Sequence, residues 1–163
     1  IDEVNRARET VEKEIEARFL QTFGCVRNSF REIFEELFGG GKGDLALIEG
    51  SLGVEVIAEP PGRRQKHLNL LSGGERSLCG IALIFAILSY KASPFIVLDE
   101  ADTALDESNI VRYSRFLKRY AEDTQFLVVT HQKATMEAAD LLYGVTMEEP
   151  GVSKVFGMRL ENQ

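Results

Sequence analysis

The sequence is poor in the residues that build disulfide bonds and transition-metal sites. Its 163 residues contain two cysteines, Cys25 and Cys79, which lie far apart and form no CxxC pair. This spacing argues against a disulfide framework or a zinc site and favours a reducing cytosol. The two histidines, His67 and His131, also argue against a transition-metal site built by the protein itself.

Long apolar runs and targeting patterns are missing as well. The longest apolar run, 81–88, is far shorter than the roughly 20 residues that a membrane span needs, so we expect no membrane association. The N-terminal residues show no signal-peptide pattern. Because the chain begins at Ile1 within a helical pattern and without an initiator methionine, we expect a fragment of a longer protein.

Two features of nucleic-acid and nucleotide binding are also missing. The formal net charge is −7, and an acidic chain is a poor DNA binder because duplex affinity comes largely from Lys and Arg. A role on DNA must therefore come from a local patch or from an absent partner. No lysine-bearing phosphate loop of the form GxxxxGK[ST] occurs in the chain. The main phosphate cradle of such a nucleotide site is thus not here.

The length is typical of one domain, and the ordinary apolar fraction indicates a globular chain. Residues 1–38 predict one long helix, since apolar residues recur at spacings of three, four or seven. The part at 1–18 is narrow-striped and heavily charged, which suits a coiled-coil strand with a partner elsewhere. From Phe19 the stripe becomes aromatic, which suits core packing. The alternative is a free amphipathic surface helix.

The rest of the chain predicts an α/β fold with a right-handed parallel crossover. We expect a helix buried on nearly all sides after Ser72, and a strand at 95–98 that is covered on both faces. The loop at 60–67 holds the one basic cluster, which is either plain solvent-exposed loop or an edge facing phosphates. The predicted order is hairpin strands 44–48 and 53–58, helix 72–91, strand 95–98, helix 107–121, strand 126–129, helix 133–140, and closing strands 141–147 and 153–160.

The helix start Ser72-Gly73-Gly74-Glu75 carries one candidate anion contact. A serine and two glycines there expose backbone N–H groups at the positive end of the helix dipole and allow close approach. Without a lysine or a cradling loop, this turn could only touch a phosphate that another surface holds. The alternative is a serine N-cap followed by a glycine turn.

Asp99 and Glu100 follow four apolar strand residues, at the carboxyl edge of the predicted parallel sheet, where ligands bind in such folds. Asp99 suits a Mg²⁺-associated carboxylate, and Glu100 suits a general base for an attacking water. His131 ends the next strand, so it should lie near both acids and could bind a terminal phosphate or place the water. Asp106 is a second candidate contact, or simply the N-cap of the following helix.

These segments, in this order, resemble the ABC-type ATPases. The segment 71–75 resembles the ABC signature, 95–100 resembles Walker B with its catalytic glutamate, 104–106 resembles the D-loop, and His131 resembles the switch histidine. Within that group the chain is similar to the structural-maintenance-of-chromosomes (SMC) proteins, specifically to the C-terminal half of a bacterial SMC head. The residues that carry this closer resemblance are 32–41, 130–137 and 142–147.

The resemblance implies the C-terminal lobe of an ABC-type ATPase head, with a parallel-sheet core, flanking helices and an N-terminal coiled-coil helix. Residues 1–18 would end a coiled-coil arm, and residues 19–163 would form the head segment. It further implies that two heads sandwich ATP and Mg²⁺. Ser72, Gly73, Gly74 and Glu75 would then face the nucleotide of the opposite head, with Asp106 also near nucleotide.

The implied partners are the N-terminal half of the same head, which carries Walker A, a second head, a kleisin subunit, and DNA through the assembled complex. ATP hydrolysis would need that N-terminal half, and the location would be the cytoplasm, at the nucleoid. Two alternatives stay open: a non-catalytic kleisin-binding platform, and the head of a related coiled-coil DNA-repair ATPase. The segment 143–146 favours the SMC reading over the latter.

Overall fold

A computed structural model describes residues 2–50, 53–62, 67–91 and 93–160, without the side chains of residues 2–4 and 7. The chain divides into two compact units, Ile1–Ser93 and Pro94–Gln163. The boundary between arm and head at residues 18 and 19 stays a prediction. Of the predicted features, the basic residues 63–66 and the turn residues 51 and 52 lie outside the described residues.

The first unit begins with one long helix, α1 (Asp2–Phe38), as predicted. Its apolar stripe is exposed early, with Val11 and Ile15 open to solvent, and buried late, with Phe30 and Phe34 wholly inside. The helix ends at three successive glycines (39–41), each with a positive φ. Glycine is suited to these conformations because it has no Cβ, so the chain can reverse at once.

A hairpin and a second helix complete the first unit. β1 (Lys42–Leu47) pairs antiparallel with β2 (Val54–Glu59), and α2 (Gly73–Tyr90) packs against α1. The core residues come mainly from α1 and α2, with Leu45 from the hairpin. They are Phe30, Phe34, Leu37, Leu45, Leu78, Ala82 and Phe85.

The prediction that α2 is buried on nearly all sides was wrong. Ile84 and Ile87 are each 54% exposed, because α1 covers only one side of α2. By length and composition alone, α2 is the one helix among the described residues that could cross a membrane. A core helix passes the same test, and α2 buries Leu78, Ile81 and Phe85 within this unit, so we regard it as a core helix.

The second unit contains a parallel strand pair. β3 (Phe95–Asp99) lies beside β4 (Gln125–Val129), and the connection runs through α3 (Glu107–Tyr120), as the predicted crossover requires. Tyr120 of α3 contacts the ring of Phe126 at a centroid distance of 6.2 Å, which places α3 beside one face of the pair. A short helix, α4 (Lys133–Glu137), follows β4.

The prediction that β3 is covered on both faces was also wrong. Ile96 is buried, whereas its neighbours Phe95 and Val97 are 61% and 55% exposed, and Leu127 of β4 is exposed on the same pattern. Side chains alternate across a strand, so one face of the pair packs inward and the other is open. No further strand among the described residues extends this two-stranded sheet.

The chain closes with an antiparallel hairpin of β5 (Leu141–Glu149) and β6 (Val152–Arg159), which turns at Pro150-Gly151. Gly144 lies opposite Phe156, and a Cβ at residue 144 would come within 2.2 Å of that ring. Gly157 has the same relation to Tyr143, whose ring lies 3.1 Å from the position of an added Cβ. Aromatic rings therefore cover both glycines across the ladder.

Candidate functional site

The carboxyl edge of the β3–β4 pair brings two of the predicted segments together. Asp99 is in register with Val129, and the backbone N–H of Glu100 donates to the carbonyl of Val129 at 2.9 Å. Thr130 and His131 follow Val129 directly. Asp99, Glu100 and His131 are therefore brought to the same edge, and all three are exposed, so an external ligand can reach them.

Glu100 has an unusual backbone conformation. Its φ is +48°, and it is the one non-glycine residue in the described part of the chain with a positive φ. This region is disfavoured for residues with a Cβ, and such outliers concentrate at functional sites. Two hydrogen bonds hold the conformation, from Glu100 N–H to Val129 and from the N–H of Thr103 to the Glu100 carbonyl at 3.2 Å.

His131 lies in a short extended connection between β4 and α4. On one side, the Thr130 hydroxyl oxygen accepts a hydrogen bond from the backbone N–H of Gln132 at 3.0 Å. The side-chain amide of Gln132 approaches His131 Nε2 at 3.5 Å, with donor and acceptor roles that depend on the tautomer. The backbone beside His131 is thus held by its neighbours, and the imidazole stays accessible.

Asp102 is a residue that the motif analysis did not select. It is 0% exposed, and its Oδ2 accepts hydrogen bonds from the hydroxyls of Thr130 at 2.7 Å and Thr135 at 2.5 Å. Its position three residues after Asp99 was the available signal. That signal was weak, because nothing in a sequence distinguishes a buried acid in a turn from an exposed one.

Asp106 forms the helix cap that was the alternative interpretation of this residue. Its Oδ1 accepts from the backbone N–H of Asn109 and from the hydroxyl of Ser108, both at 2.9 Å. The bond from Asn109 is the main reason that the pKa of Asp106 lies below its usual value. The carboxylate therefore stays charged and fixed at the start of α3. The side-chain amide of Asn109 also donates to Asp106 Oδ2, at 3.1 Å, so any further contact would have to use the remaining acceptor capacity of this oxygen.

Ser72 likewise caps a helix. Its Oγ accepts from the backbone N–H of Glu75 at 3.3 Å, and the Glu75 carboxylate accepts from the N–H of Ser72 at 2.9 Å, which forms a capping box. Ser72 and Gly73 are exposed. A serine hydroxyl that accepts one bond can still donate its hydrogen, so capping and anion contact are compatible.

The fold itself makes no demand for glycine after Ser72. Gly73 has ordinary helical backbone, and a Cβ there would meet nothing within 4 Å. This differs from Gly41, where a Cβ would come within 2.3 Å of the Glu59 carbonyl. The space in front of position 73 is thus open within the described residues, which leaves room for a ligand or partner to approach.

The acidic edge suits a magnesium ion that is only partly held by protein. No cluster of three or more His, Cys, Asp or Glu side chains that could hold a metal occurs within the described ranges. Mg²⁺ usually keeps several waters and binds one or two carboxylates together with substrate phosphates. The exposed carboxylate of Asp99 at the strand end fits that mode, in which the nucleotide supplies the other ligands.

The mixed α/β fold with its long N-terminal helix matches the class of SMC head domains. The chain belongs to the RecF/RecN/SMC N terminal domain family, whose model matches residues 4–154. The chromosome partition protein Smc of Bacillus subtilis is 52% identical to it over 157 residues. That alignment covers 94% of this chain and 13% of the relative, so the chain spans about an eighth of such proteins.

Solved structures agree with this fold. One, from a study of ATP-driven dimerization and DNA-stimulated activation of SMC ATPases, matches with a TM-score of 0.82 at 37% identity, over 87% of this chain and 88% of that one. Another, an Smc head bound to the C-winged helix domain of ScpA, matches with a TM-score of 0.81 at 37% identity. It covers 91% of this chain and 47% of that one. The predicted SMC resemblance and mixed α/β class are thereby confirmed.

Proposed function

We propose that this chain is the C-terminal half of the ATPase head of a bacterial chromosome-partition SMC protein. In this role it supplies the signature segment, Walker B, the D-loop and the switch histidine to ATP-sandwiched head dimers that act on DNA. The observation that carries the proposal is the hydrogen bond between Glu100 N–H and the Val129 carbonyl, which joins the acid pair and His131 at one sheet edge.

The three residues at this edge have separate tasks. Asp99 binds Mg²⁺, directly or through water, and the ion neutralises charge on the phosphates of ATP. Glu100 is the general base that orients and deprotonates the attacking water. His131 hydrogen-bonds the terminal phosphate or helps to place that water. The open position of all three residues supports access by a nucleotide that another segment holds.

The capped start of α2 acts on the nucleotide of the opposite head. The Ser72 hydroxyl and the N–H groups of Gly73 and Gly74 donate to the terminal phosphate, helped by the helix dipole. Glu75 stabilises this turn through the capping box. Asp106 places the D-loop turn through its cap on α3, and the remaining acceptor capacity of its exposed carboxylate serves the nucleotide at the interface between heads.

The N-terminal half of the head is the first partner in this proposal. The chain lacks a phosphate loop, and the outer face of β3 and β4 exposes Val97, Leu127 and Val129. An apolar sheet face of this kind is normally covered by other structure. We propose that the N-terminal half, with Walker A, covers it and holds ATP, so that this chain alone is not an ATPase.

Further partners follow from the relatives. An Smc head relative is known in complex with ScpA, and we propose that this chain also contacts a kleisin subunit, near the exposed hairpin of β5 and β6. DNA binding is assigned to the assembled complex because the chain carries a net charge of −7. The proposed location is the cytoplasm, at the nucleoid.

The test is Glu100→Gln in the complete protein, which keeps the shape of the side chain and removes the base. Hydrolysis should collapse, while ATP-dependent head dimers accumulate because binding is left intact. Glu107→Gln, an exposed acid on the first turn of α3, is the matched control and should hydrolyse ATP normally. Unchanged turnover in Glu100→Gln would refute the assigned base.

A second candidate is a non-catalytic platform for a kleisin or another partner. It is favoured by one observation, namely that Ser72 and Glu75 form a complete capping box and so have a structural role without any nucleotide. Ser72→Arg in the complete protein separates the two functions, since a bulky cation there should block the contact between heads. Dimerisation by ATP that survives this change would show that the turn is only a helix cap.

A further inference from the structure

The strongest further feature is the buried carboxylate of Asp102. Burying an acid is unfavourable unless hydrogen bonds or a cation compensate for the lost water. In the described part of the chain no lysine or arginine pairs with Asp102, and the compensation comes from the hydroxyls of Thr130 and Thr135. The acid therefore depends on two hydroxyl groups, one directly after β4 and one on α4.

Thr130 links this acid to the segment that holds His131. Its hydroxyl donates to Asp102 Oδ2 at 2.7 Å and accepts from the backbone N–H of Gln132 at 3.0 Å. His131 lies between Thr130 and Gln132 in the chain. The Thr130 hydroxyl thus both donates and accepts a hydrogen bond, and it links the backbone around His131 to the buried carboxylate of Asp102.

Asp102 is tied equally closely to the turn that separates Glu100 from Asp106. Its backbone carbonyl accepts from the N–H of Leu105 at 3.1 Å, and the preceding turn closes from Thr103 to Glu100 at 3.2 Å. Leu105 is 7% exposed and anchors the turn in the core. A displacement of this turn therefore shifts Asp102, and with it the hydroxyl of Thr130.

We propose that Asp102 is a positioning residue that couples the D-loop turn to His131 through the Thr130 hydroxyl. The proposal rests on the proposed ATPase function, because it assigns to His131 a place beside the reacting phosphate. In this arrangement, engagement of Asp106 at the interface between heads sets the position of His131 on the same head. Thr135 supports the buried acid but lies outside the connection to Gln132.

The two threonines provide a matched pair of variants. Thr130→Val removes the hydroxyl that joins Asp102 to the 130–132 segment. Thr135→Val removes the second bond to Asp102, together with a 3.5 Å contact from the Ser114 hydroxyl, and leaves the 130–132 segment bonded. In the complete protein, Thr130→Val should lower kcat about ten- to a hundredfold, the size of loss seen when the hydrogen-bond partner of a metal-ligating side chain is removed, with KM for ATP unchanged. Thr135→Val should keep kcat near the wild-type value, and Thr130→Ser, which restores the hydroxyl, should recover it.

Asparagine at position 102 tests whether hydrogen-bond geometry or charge matters. Asp102 Oδ1 and the hydroxyl of Tyr113 are both buried without a hydrogen-bond partner in the described structure. Burial, with a smaller effect of the Asp102 charge, raises the pKa of Tyr113, so its hydroxyl stays neutral. The asparagine side chain keeps one oxygen that can accept from both threonines. Its NH2 group takes the place of Oδ1, which has no hydrogen-bond partner in the described structure. Asp102→Asn should therefore stay active, and Asp102→Leu should resemble Thr130→Val.

The outcomes separate this inference from the function on which it rests. Glu100→Gln is measured alongside, and full activity of that variant would overturn the ATPase assignment itself. If Glu100→Gln is inactive while Thr130→Val equals the wild type, the coupling is wrong and the ATPase assignment stands. Equal losses in Thr130→Val and Thr135→Val, or no recovery in Thr130→Ser, would also overturn the coupling, because each indicates general support of the fold.

Discussion

The guanidinium group of Arg27 holds the carboxylate of Asp44 by two hydrogen bonds, at 2.6 and 2.7 Å, and thereby joins α1 to β1. Arg31, one turn further along α1, binds the same carboxylate at 2.9 and 2.8 Å. The bond from Arg27 is the largest of the effects that hold the pKa of Asp44 well below its usual range. This contact ties the first strand of the hairpin to the long helix.

The first prediction concerns the pH dependence of this contact. A depressed folded-state pKa contributes stability above the unfolded-state value, about 3.9 for Asp, and that stability is lost as the pH falls below it. Asp44→Asn should therefore lower the melting temperature at pH 7, and the gap to the wild type should narrow at pH 3. Thermal unfolding followed by circular dichroism at both values measures it.

Glu12→Gln is the control for that experiment, because Glu12 pairs with Arg8 on an exposed part of α1. Exposed pairs contribute little, so its melting temperature should stay close to that of the wild type at both pH values. An Asp44→Asn gap that is the same at pH 3 and pH 7 would contradict the assignment of this stability to the charged carboxylate.

The second prediction compares two glycines. A Cβ at Gly43 would come within 2.5 Å of the ring of Phe34, which is wholly buried and cannot move aside. Gly43→Ala should therefore destabilise the first unit by about 1–3 kcal/mol, the usual effect of overpacking. A Cβ at Gly80 of α2 would meet nothing within 4 Å, so Gly80→Ala should stabilise by up to about 1 kcal/mol. Urea unfolding measures the free energy of unfolding of both variants. A Gly43→Ala variant as stable as the wild type would contradict the packing at Phe34, and a destabilised Gly80→Ala variant would contradict the open space at Gly80.

The third prediction separates capping from phosphate contact at Ser72. Aspartate and asparagine cap helices about as well as serine, so both variants should keep the stability of α2. Asp adds a negative charge where the terminal phosphate is proposed to lie, and like charges at an interface cost several kcal/mol. Ser72→Asp should thus weaken ATP-driven dimerisation of the complete protein by about tenfold or more, since each 1.4 kcal/mol corresponds to a factor of ten.

Ser72→Asn is the neutral control in that comparison and should dimerise far better than Ser72→Asp. Sedimentation with and without ATP provides the measurement, and thermal unfolding confirms that the helix start is intact. Equal dimerisation of the aspartate and asparagine variants would contradict the proposal that the terminal phosphate lies close to Ser72.

The fourth prediction concerns the chain by itself. It has no phosphate loop, which would otherwise supply several backbone N–H groups and a lysine to the triphosphate. Calorimetry with Mg-ATP should therefore show no binding in the micromolar range, which would need about −8 kcal/mol. Adding the N-terminal half should restore binding. Micromolar affinity of the chain alone would contradict the proposal that the N-terminal half holds the triphosphate.

The local sequence predicted most elements because their signals are local. Successive glycines end α1, Ser72 and Glu75 form the capping box that begins α2, and apolar runs bounded by breakers mark β3 and β4. The parallel pairing followed from the helix between the two strands. With it came the prediction that the acids at 99 and 100 share an edge with His131, since parallel strands end together.

The tertiary structure alone decided which surfaces are covered and which polar groups are inside. Phe95 and Val97 form the same apolar run whether or not a second layer covers them, so the pattern could not show the open face. Asp102 and Asp106 are both acids in one short turn, yet one is buried under two threonines and the other caps α3 at the surface. A sequence period records which side chains share a face, whereas burial depends on what packs against that face, and that is set by contacts between distant parts of the chain.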